Sequence, residues 1–389
     1  MNILIYTGVL SRKAGGLYYS VSGLAKSIIS DGCDVVLTGF EDKYTQEDVT
    51  IYRGVQVKKY RCLWPFRKAG LSYDVNRIMK RFAPDIIHQQ GIWSFLSLHT
   101  VIYKYIHGNC KIIITPRGML DGWIIRRSPI KKWIVRKLFE DANMRNADCM
   151  HALCKSEYIS MRKYGLKNPI AIIPNGVNIP YWNRDYQLFR NKDVRTMLFL
   201  SRLHPKKGVI ELIKAYALIK ENYPDIIKKW KLKIGGWGEE TFIKEIKSFI
   251  NLYGLENDIE LLGAVYGNEK DKLLKDVDAF ILPTYSEGLP MAVLEAWAYG
   301  LPVITTDYSN LPESFDYGAA FRVENDVRNL KKGLSSFLMK DDDEIISYGK
   351  KGYELVTRQF SWDAIGIKLR NLYDWLCGKA DKPDFVYMD

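Results

Sequence analysis

Two glutamates stand eight positions apart in the stretch Ser286-Glu287-Gly288-Leu289-Pro290-Met291-Ala292-Val293-Leu294-Glu295. A turn is expected to carry Glu287. Gly288 and Pro290 would open a helix, with Glu295 about two turns inside it. If that span were wholly helical, the carboxylates would lie ~12 Å apart along the axis, at ~1.5 Å rise per residue. Such a pair cannot grip one atom together. It can grip two ends of an elongated, hydroxyl-rich ligand whose middle rests at the helix N-terminus, where unpaired N–H groups and the helix dipole favour phosphate. Sugar, diphosphate and ribose follow one another in this way in a nucleotide-sugar.

A second constellation follows an apolar run, in Ser201-Arg202-Leu203-His204-Pro205-Lys206-Lys207-Gly208. At the carboxyl end of a strand, Arg202 offers a planar fork and Lys207 a compact charge for phosphate oxygens. The turn Gly235-Gly236-Trp237-Gly238-Glu239 lets a base or ribose lie against backbone, with Trp237 either stacking on it or covering a sheet edge. Gly15 and Gly16 stand between the first strand and the first helix, where glycine admits an anion close to the main chain. A tight strand–helix turn would need them regardless. They do not form the GxGxxG of a nicotinamide-cofactor site.

Positioning these residues requires strands that end together. Short apolar segments alternate with helical ones. The first series of strands is expected at Asn2–Tyr6, Asp34–Leu37, Asp85–His88, Lys111–Thr115, Cys149–Leu153 and Ile170–Ile173, with a helix from Gly15 to about Ser30. The second is expected at Thr196–Leu200, Lys231–Ile234, Asp258–Leu262, Ala279–Leu282 and Pro302–Thr305. Near-continuous apolar strands between helices imply buried parallel sheets. Two such series imply two doubly wound α/β domains, 1–178 and 179–360, joined through a linker around Tyr181-Trp182-Asn183-Arg184-Asp185. A last helix, 361–377, repeats Ile365, Leu369, Leu372 and Leu376 at three- and four-residue steps, so one face needs covering.

Composition sets limits. The 389 residues are 47% hydrophobic and 26% charged, which suits a globular chain with a sizeable core. No apolar run reaches the ~18 residues of a membrane-spanning helix. The first ten residues read as a buried strand, without the basic leader of a signal peptide. The six cysteines form no CxxC and no zinc spacing, so free thiols and a cytoplasmic setting are expected. The net charge of +12 is lopsided. Residues 1–180 hold 27 Lys and Arg against 13 Asp and Glu, and the remainder holds 30 against 32. The first half therefore suits an anionic partner, whether lipid headgroups, a pyrophosphate-linked substrate or nucleic acid, unless the charge is merely solvated.

Taken together, Glu287…Glu295, Arg202/Lys207, the Gly-Trp-Gly turn, Pro174-Asn175-Gly176-Val177 and Gly15-Gly16 resemble the retaining glycosyltransferases of family 4, along essentially the whole chain and in order. The resemblance implies the GT-B fold: two Rossmann-like domains facing a cleft, and a C-terminal helix that crosses back to the first. It implies that Glu287 meets the C3 and C4 hydroxyls of the donor sugar and that Glu295 meets the ribose. Arg202 and Lys207 would hold the diphosphate, with Gly16 and the amides after Gly288 beside it; Leu289 and Pro290 would line the donor there. No metal or other cofactor is implied. The expected reaction moves a hexose from a nucleoside-diphosphate-sugar to a lipid-linked oligosaccharide at the anionic inner face of a bacterial membrane. A UDP-sugar is preferred, though no residue argues for the base. Another GT-B enzyme, such as a nucleotide-sugar epimerase or a phosphorylase, is the alternative. From a different class, a nucleic-acid binder rests on charge alone.

One departure from the family stands in Thr115-Pro116-Arg117-Gly118, where many members have a histidine near the sugar. Arg117 cannot act as a base at neutral pH, so it would bind acceptor, act electrostatically or simply build a loop. His88 and Asn175 are further acceptor candidates. A lone histidine at a strand end is also often structural. Ser128-Pro129 is expected to cap a helix bearing Lys131, Lys132, Arg136 and Lys137 among Ile130, Trp133, Ile134, Leu138 and Phe139. That helix could rest on an anionic membrane or pack with its basic face outward. Asp276-Val277-Asp278 and Asp341–Asp343 do not sit where a metal-binding aspartate pair should.

Overall fold

The computed structural model describes residues 1–29, 32–64, 69–126 and 128–389. Its contacts divide the chain into two compact units, Met1–Gly176 with Trp362–Asp389, and Val177–Ser361.

The first unit is built on an eight-stranded sheet. Its strands are β1 (Asn2–Val9), β2 (Asp34–Phe40), β3 (Gln56–Tyr60), β4 (Ile86–Gln90), β5 (Lys111–Thr115), β6 (Cys149–Ala152), β7 (Ile170–Ile172) and β14 (Val386–Tyr387). Their order is β14-β7-β6-β5-β4-β1-β2-β3, and every pairing is parallel except β14 with β7. The central strands are buried on both faces: Ile3, Leu4, Ile5 and Tyr6 of β1 are wholly inaccessible. That explains why they read as continuous apolar runs. β3 and β14 were not anticipated. Both are sheet edges, one carrying Lys58 and Lys59 and the other only two residues long, and neither shows the pattern of a buried strand.

The first helix runs Gly16–Ser27, shorter than expected; Ser30, its expected end, lies outside the described residues. The last helix, Trp362–Leu376, packs on it. Gly366 makes this possible, since a Cβ there would stand 2.2 Å from the carbonyl oxygen of Ser27. Gly23 likewise yields to the Trp362 indole. The apolar face that needed covering, Ile365, Leu369 and Leu372 with Tyr373, is thereby buried in the first unit's core. Each such side chain contributes roughly 1.5–3 kcal/mol on burial.

The second unit holds β8 (Arg195–Leu200), β9 (Trp230–Gly235), β10 (Ile259–Gly263), β11 (Ala279–Leu282), β12 (Val303–Thr305) and β13 (Ala320–Arg322). The order β10-β9-β8-β11-β12-β13 is wholly parallel. Its strand order reverses beside β8, so the loops after β8 and β11 leave the sheet at a switch point. The stretch 181–185, expected to be a linker, is instead packed onto this unit. The Arg184 guanidinium donates to the carbonyls of Leu274, Val277 and Tyr299 at 2.8–2.9 Å.

Candidate functional site

In the second unit, three loops at the carboxyl ends of strands are locked together by close backbone approach. Leu203 N–H donates to Trp237 O (2.8 Å) and Ser201 N–H to Gly235 O (3.2 Å). A Cβ on Gly236 would stand 1.8 Å from Ser201 O, and one on Gly238 2.5 Å from Leu203 O. These glycines are therefore demanded by loop-to-loop packing, whatever else they do. The same contact sets Arg202 over Trp237, 5.8 Å from the ring centroid, with the indole 55% exposed. On the other side, Gly208 admits Pro283 O, while Tyr285 N–H and the Thr284 hydroxyl donate to Lys206 O at 2.8 and 3.0 Å.

That clamp delivers Lys207 to Glu287. Lys207 Nζ lies 2.5 Å from Glu287 Oε1, and the carboxylate side chain is only 9% exposed. Glu287 N–H donates to Tyr308 O (3.0 Å), and Asn310 Nδ2 donates to Gly288 O (2.8 Å) from a left-handed backbone (φ 61°). Asn310 was not anticipated; the Leu-Pro after it gave no signal of a reach back to residue 288. The helix itself is Met291–Ala298, starting later than expected, with Pro290 at its N-cap and no side chain capping it. Glu295 thus sits little more than one turn inside, so the separation derived for a wholly helical span does not apply. Lys270, from the helix Gly267–Asp276, holds Glu295 Oε1 at 2.8 Å. Lys270 also went unremarked in the sequence, lying in a polar run without punctuation.

The aspartate pairs have structural duties. Asp278 is buried and accepts from Lys192 Nζ and Thr196 N–H, each at 2.8 Å. Asp341 caps the helix Asp342–Phe360.

In the first unit, the carboxyl ends of β4, β5 and β7 converge. Arg117, at φ 57°, donates from Nε and Nη2 to Gln90 Oε1 (3.0 and 2.6 Å) and from Nη1 to Asn175 Oδ1 (2.6 Å). Burial draws the guanidinium down to about 10, against the nearby Glu157 carboxylate, so it stays charged at neutral pH. Gln90 is the residue missed here. Its Nε2 is buried with no partner among the described residues, and the polar Gln89-Gln90 ending of an apolar strand was its only signal. His88 is corrected. It is fully buried, bonded to Tyr373 Oη (2.8 Å), Thr115 Oγ1 (2.9 Å) and His151 Nδ1 (3.2 Å), and burial holds it well below the usual imidazole range. It belongs to the core and has no surface to offer a ligand.

Gly15 turns the chain at φ 60°, and Gly16 opens the first helix; no atom lies within 4 Å of where a Cβ would stand on either. At the ends of β1, β2 and β3 a cavity of about 710 Å³ is lined by Lys13, Asp42, Lys43 and Arg61 over Phe40.

The basic segment is a helix Pro129–Val135, a π-helical turn Arg136–Glu140 and a helix Asp141–Arg145. Ser128 makes no capping bond, its backbone being left-handed (φ 58°). Ile130, Trp133 and Leu138 are 74%, 61% and 71% exposed, so this apolar face is not packed inward. The π turn buries Glu140, which accepts from Trp93 N–H (2.7 Å) and Ser97 Oγ (2.8 Å); burial pushes it up to about 7. Among the described residues no helix is long and apolar enough to cross a membrane.

Two doubly wound parallel units with this loop chemistry define the GT-B class of glycosyltransferases. The fold agrees with that of Anabaena Alr3699/HepE solved in complex with UDP, at TM-score 0.74 and 16% identity over 96% of this chain and all of that one. The chain belongs to glycosyltransferase family 4: residues 14–180 match the Glycosyltransferase Family 4 model, and residues 182–353 match that of Glycosyl transferases group 1. Among curated relatives, a protein of Escherichia coli K12 named as a colanic acid biosynthesis glycosyltransferase, WcaL, is 31% identical over 45% of this chain and 44% of its own. The alpha-monoglucosyldiacylglycerol synthase of Streptococcus pneumoniae is 23% identical over 92% and 83%. The chain spans about half the length of the colanic acid relatives it matches.

Proposed function

We propose that this chain is a retaining, metal-independent transferase that moves a hexose from a nucleoside-diphosphate-sugar to a hydroxyl of a lipid-linked oligosaccharide in bacterial surface-polysaccharide synthesis. The observation that carries this reading is the Glu287–Lys207 pair beside the uncapped start of the Met291–Ala298 helix. Glu287 would accept from sugar hydroxyls. Lys207, Arg202 and the amides of Gly288 and Leu289 would take up the charge that develops on the departing diphosphate, which is the usual source of most rate enhancement in a site of this kind. Glu295 would accept from the ribose, and Trp237 and the Gly15–Gly16 turn would lie along the donor. The nucleotide preference for uridine draws support from relatives of the fold solved with UDP and with UDP-glucose. The C–O bond to the diphosphate breaks as the acceptor oxygen bonds to the same face of the anomeric carbon, and the leaving phosphate oxygen takes the acceptor proton.

Acceptor recognition falls to Arg117 and Asn175, with Gln90 fixing the guanidinium. The outward Ile130, Trp133 and Leu138 with Lys131 and Lys137 suit peripheral binding to an anionic bilayer. The test of the reading is Glu287→Gln. Transfer is expected to fall by a factor on the order of 1,000 at unchanged melting temperature; turnover within threefold of the parent, followed by chromatography of the product, would remove Glu287 from the site.

A further inference from the structure

Glu295 does not stand alone. Two successive residues of the Gly267–Asp276 helix reach the Met291–Ala298 helix one turn apart: Lys270 Nζ bonds Glu295 Oε1 at 2.8 Å, and Asp271 hydrogen-bonds Tyr299. The half-buried Arg184 then ties the carboxyl ends of the two helices together, donating to Leu274 O and Val277 O on one side and Tyr299 O on the other. The relative register of the helices is therefore fixed from behind, and the Lys270–Glu295 contact is fixed with it. The two side chains remain 28% and 27% exposed. A partly buried ion pair of this kind contributes modestly to stability, on the order of 1 kcal/mol. The Asp271–Tyr299 bond and the Arg184 bonds thus hold the two helices around this pair.

We propose that Lys270 is a positioning residue that presets Glu295 for the ribose hydroxyls of the donor and so makes the site select ribonucleotides over deoxyribonucleotides. This rests on the donor reading above. Lys270 occupies one oxygen of the carboxylate from the side and leaves Oε2 to accept from the sugar. Held still, the carboxylate meets two hydroxyl donors without first losing rotamer freedom. A nucleotide lacking those hydroxyls covers Oε2 without giving it a donor, which is how a site built for a hydroxyl rejects its absence. With Lys270 gone, Glu295 is no longer preset and must be ordered by UDP itself, so the gain from the ribose hydroxyls shrinks.

The test is calorimetric titration of UDP and of 2′,3′-dideoxy-UDP into the wild type, Lys270→Met, Lys270→Arg and Glu295→Gln, with melting curves for each. The wild type is expected to prefer UDP by about tenfold or more. Lys270→Met should shrink that preference to under about threefold by weakening UDP alone, and Lys270→Arg should restore most of it. Equal weakening of both nucleotides by Lys270→Met, or an unchanged preference, overturns the proposal. If Glu295→Gln abolishes the preference while Lys270→Met does not, Lys270 loses its role and the donor site stands. If the wild type binds neither nucleotide, the donor reading itself falls and takes this role with it; if it binds both alike, the nucleotide site stands and both Glu295 and Lys270 lose the ribose.

Discussion

The two units are built by opposite strategies. In the second, the loops after β8, β9 and β11 are locked by backbone contacts so close that Gly208, Gly236 and Gly238 admit no side chain. Two ion pairs are already made there, Lys207 with Glu287 and Lys270 with Glu295. In the first, the Gly15–Gly16 turn faces open space, and a cavity of about 710 Å³ lies beyond the first three strands. There, too, a hydrophobic helix face points outward. The locked unit suits a ligand of fixed shape, whose binding geometry can be built in advance. The open unit suits a partner that varies, because open loops accept substitution without disturbing a packed neighbour.

The sharpest way to break this contrast is a pair of glycine replacements. Gly236→Ala places a Cβ 1.8 Å from Ser201 O at φ 149°, and should cost about 3 kcal/mol or more in urea unfolding. Gly16→Ala meets no atom within 4 Å at the start of a helix, so its stability should stay level or rise by up to ~1 kcal/mol. A fall in transfer by Gly16→Ala despite that stability would mark the turn as ligand-facing. Equal destabilisation by the two would erase the distinction between the units.

Next in size is the buried Glu140 of the first unit. Its carboxyl is held near 7 against an ordinary 4.5, so the folded state binds the proton more tightly than the unfolded one. The stability it contributes is complete below about pH 4.5 and is lost as pH rises through about 7, a swing of at most on the order of 3 kcal/mol. Glu140→Gln should flatten the decline in unfolding free energy between pH 5 and 8. An identical slope in parent and variant would show that the π turn does not hold a protonated acid.

The smallest effect concerns the outward face. Trp133→Ser should leave stability within about 0.5 kcal/mol and weaken cosedimentation with phosphatidylglycerol vesicles by roughly tenfold, with salt abolishing the remainder. Binding to neutral phosphatidylcholine vesicles that equals binding to anionic ones would leave the basic residues without that task.

Much of the fold could be read from the chain because buried parallel strands are apolar throughout, and β1, β5, β8 and β11 announce themselves. β3, β13 and β14 do not: each is short, at or near a sheet edge, and buried on few of its residues. The Glu287 and Lys207 loops were legible because glycine and proline punctuate them. What failed was depth. His88 reads like other strand-end polar residues, and only the partners Tyr373, Thr115 and His151 reveal that it is sealed in the core. Lys270, Asn310 and Gln90 make contacts 22 to 27 residues away, which no local pattern encodes.

The Trp362–Leu376 helix, wedged by Gly366 against Ser27, has a bearing on how the polypeptide is made. Every residue of the second unit leaves the ribosome before this helix does. The first unit must therefore wait, with the surface around Val21, Leu24 and Ile28 uncovered, for nearly two hundred further codons to be read. A chaperone that shelters nascent apolar surface has its natural client in that interval, and translational pausing before residue 362 would lengthen it.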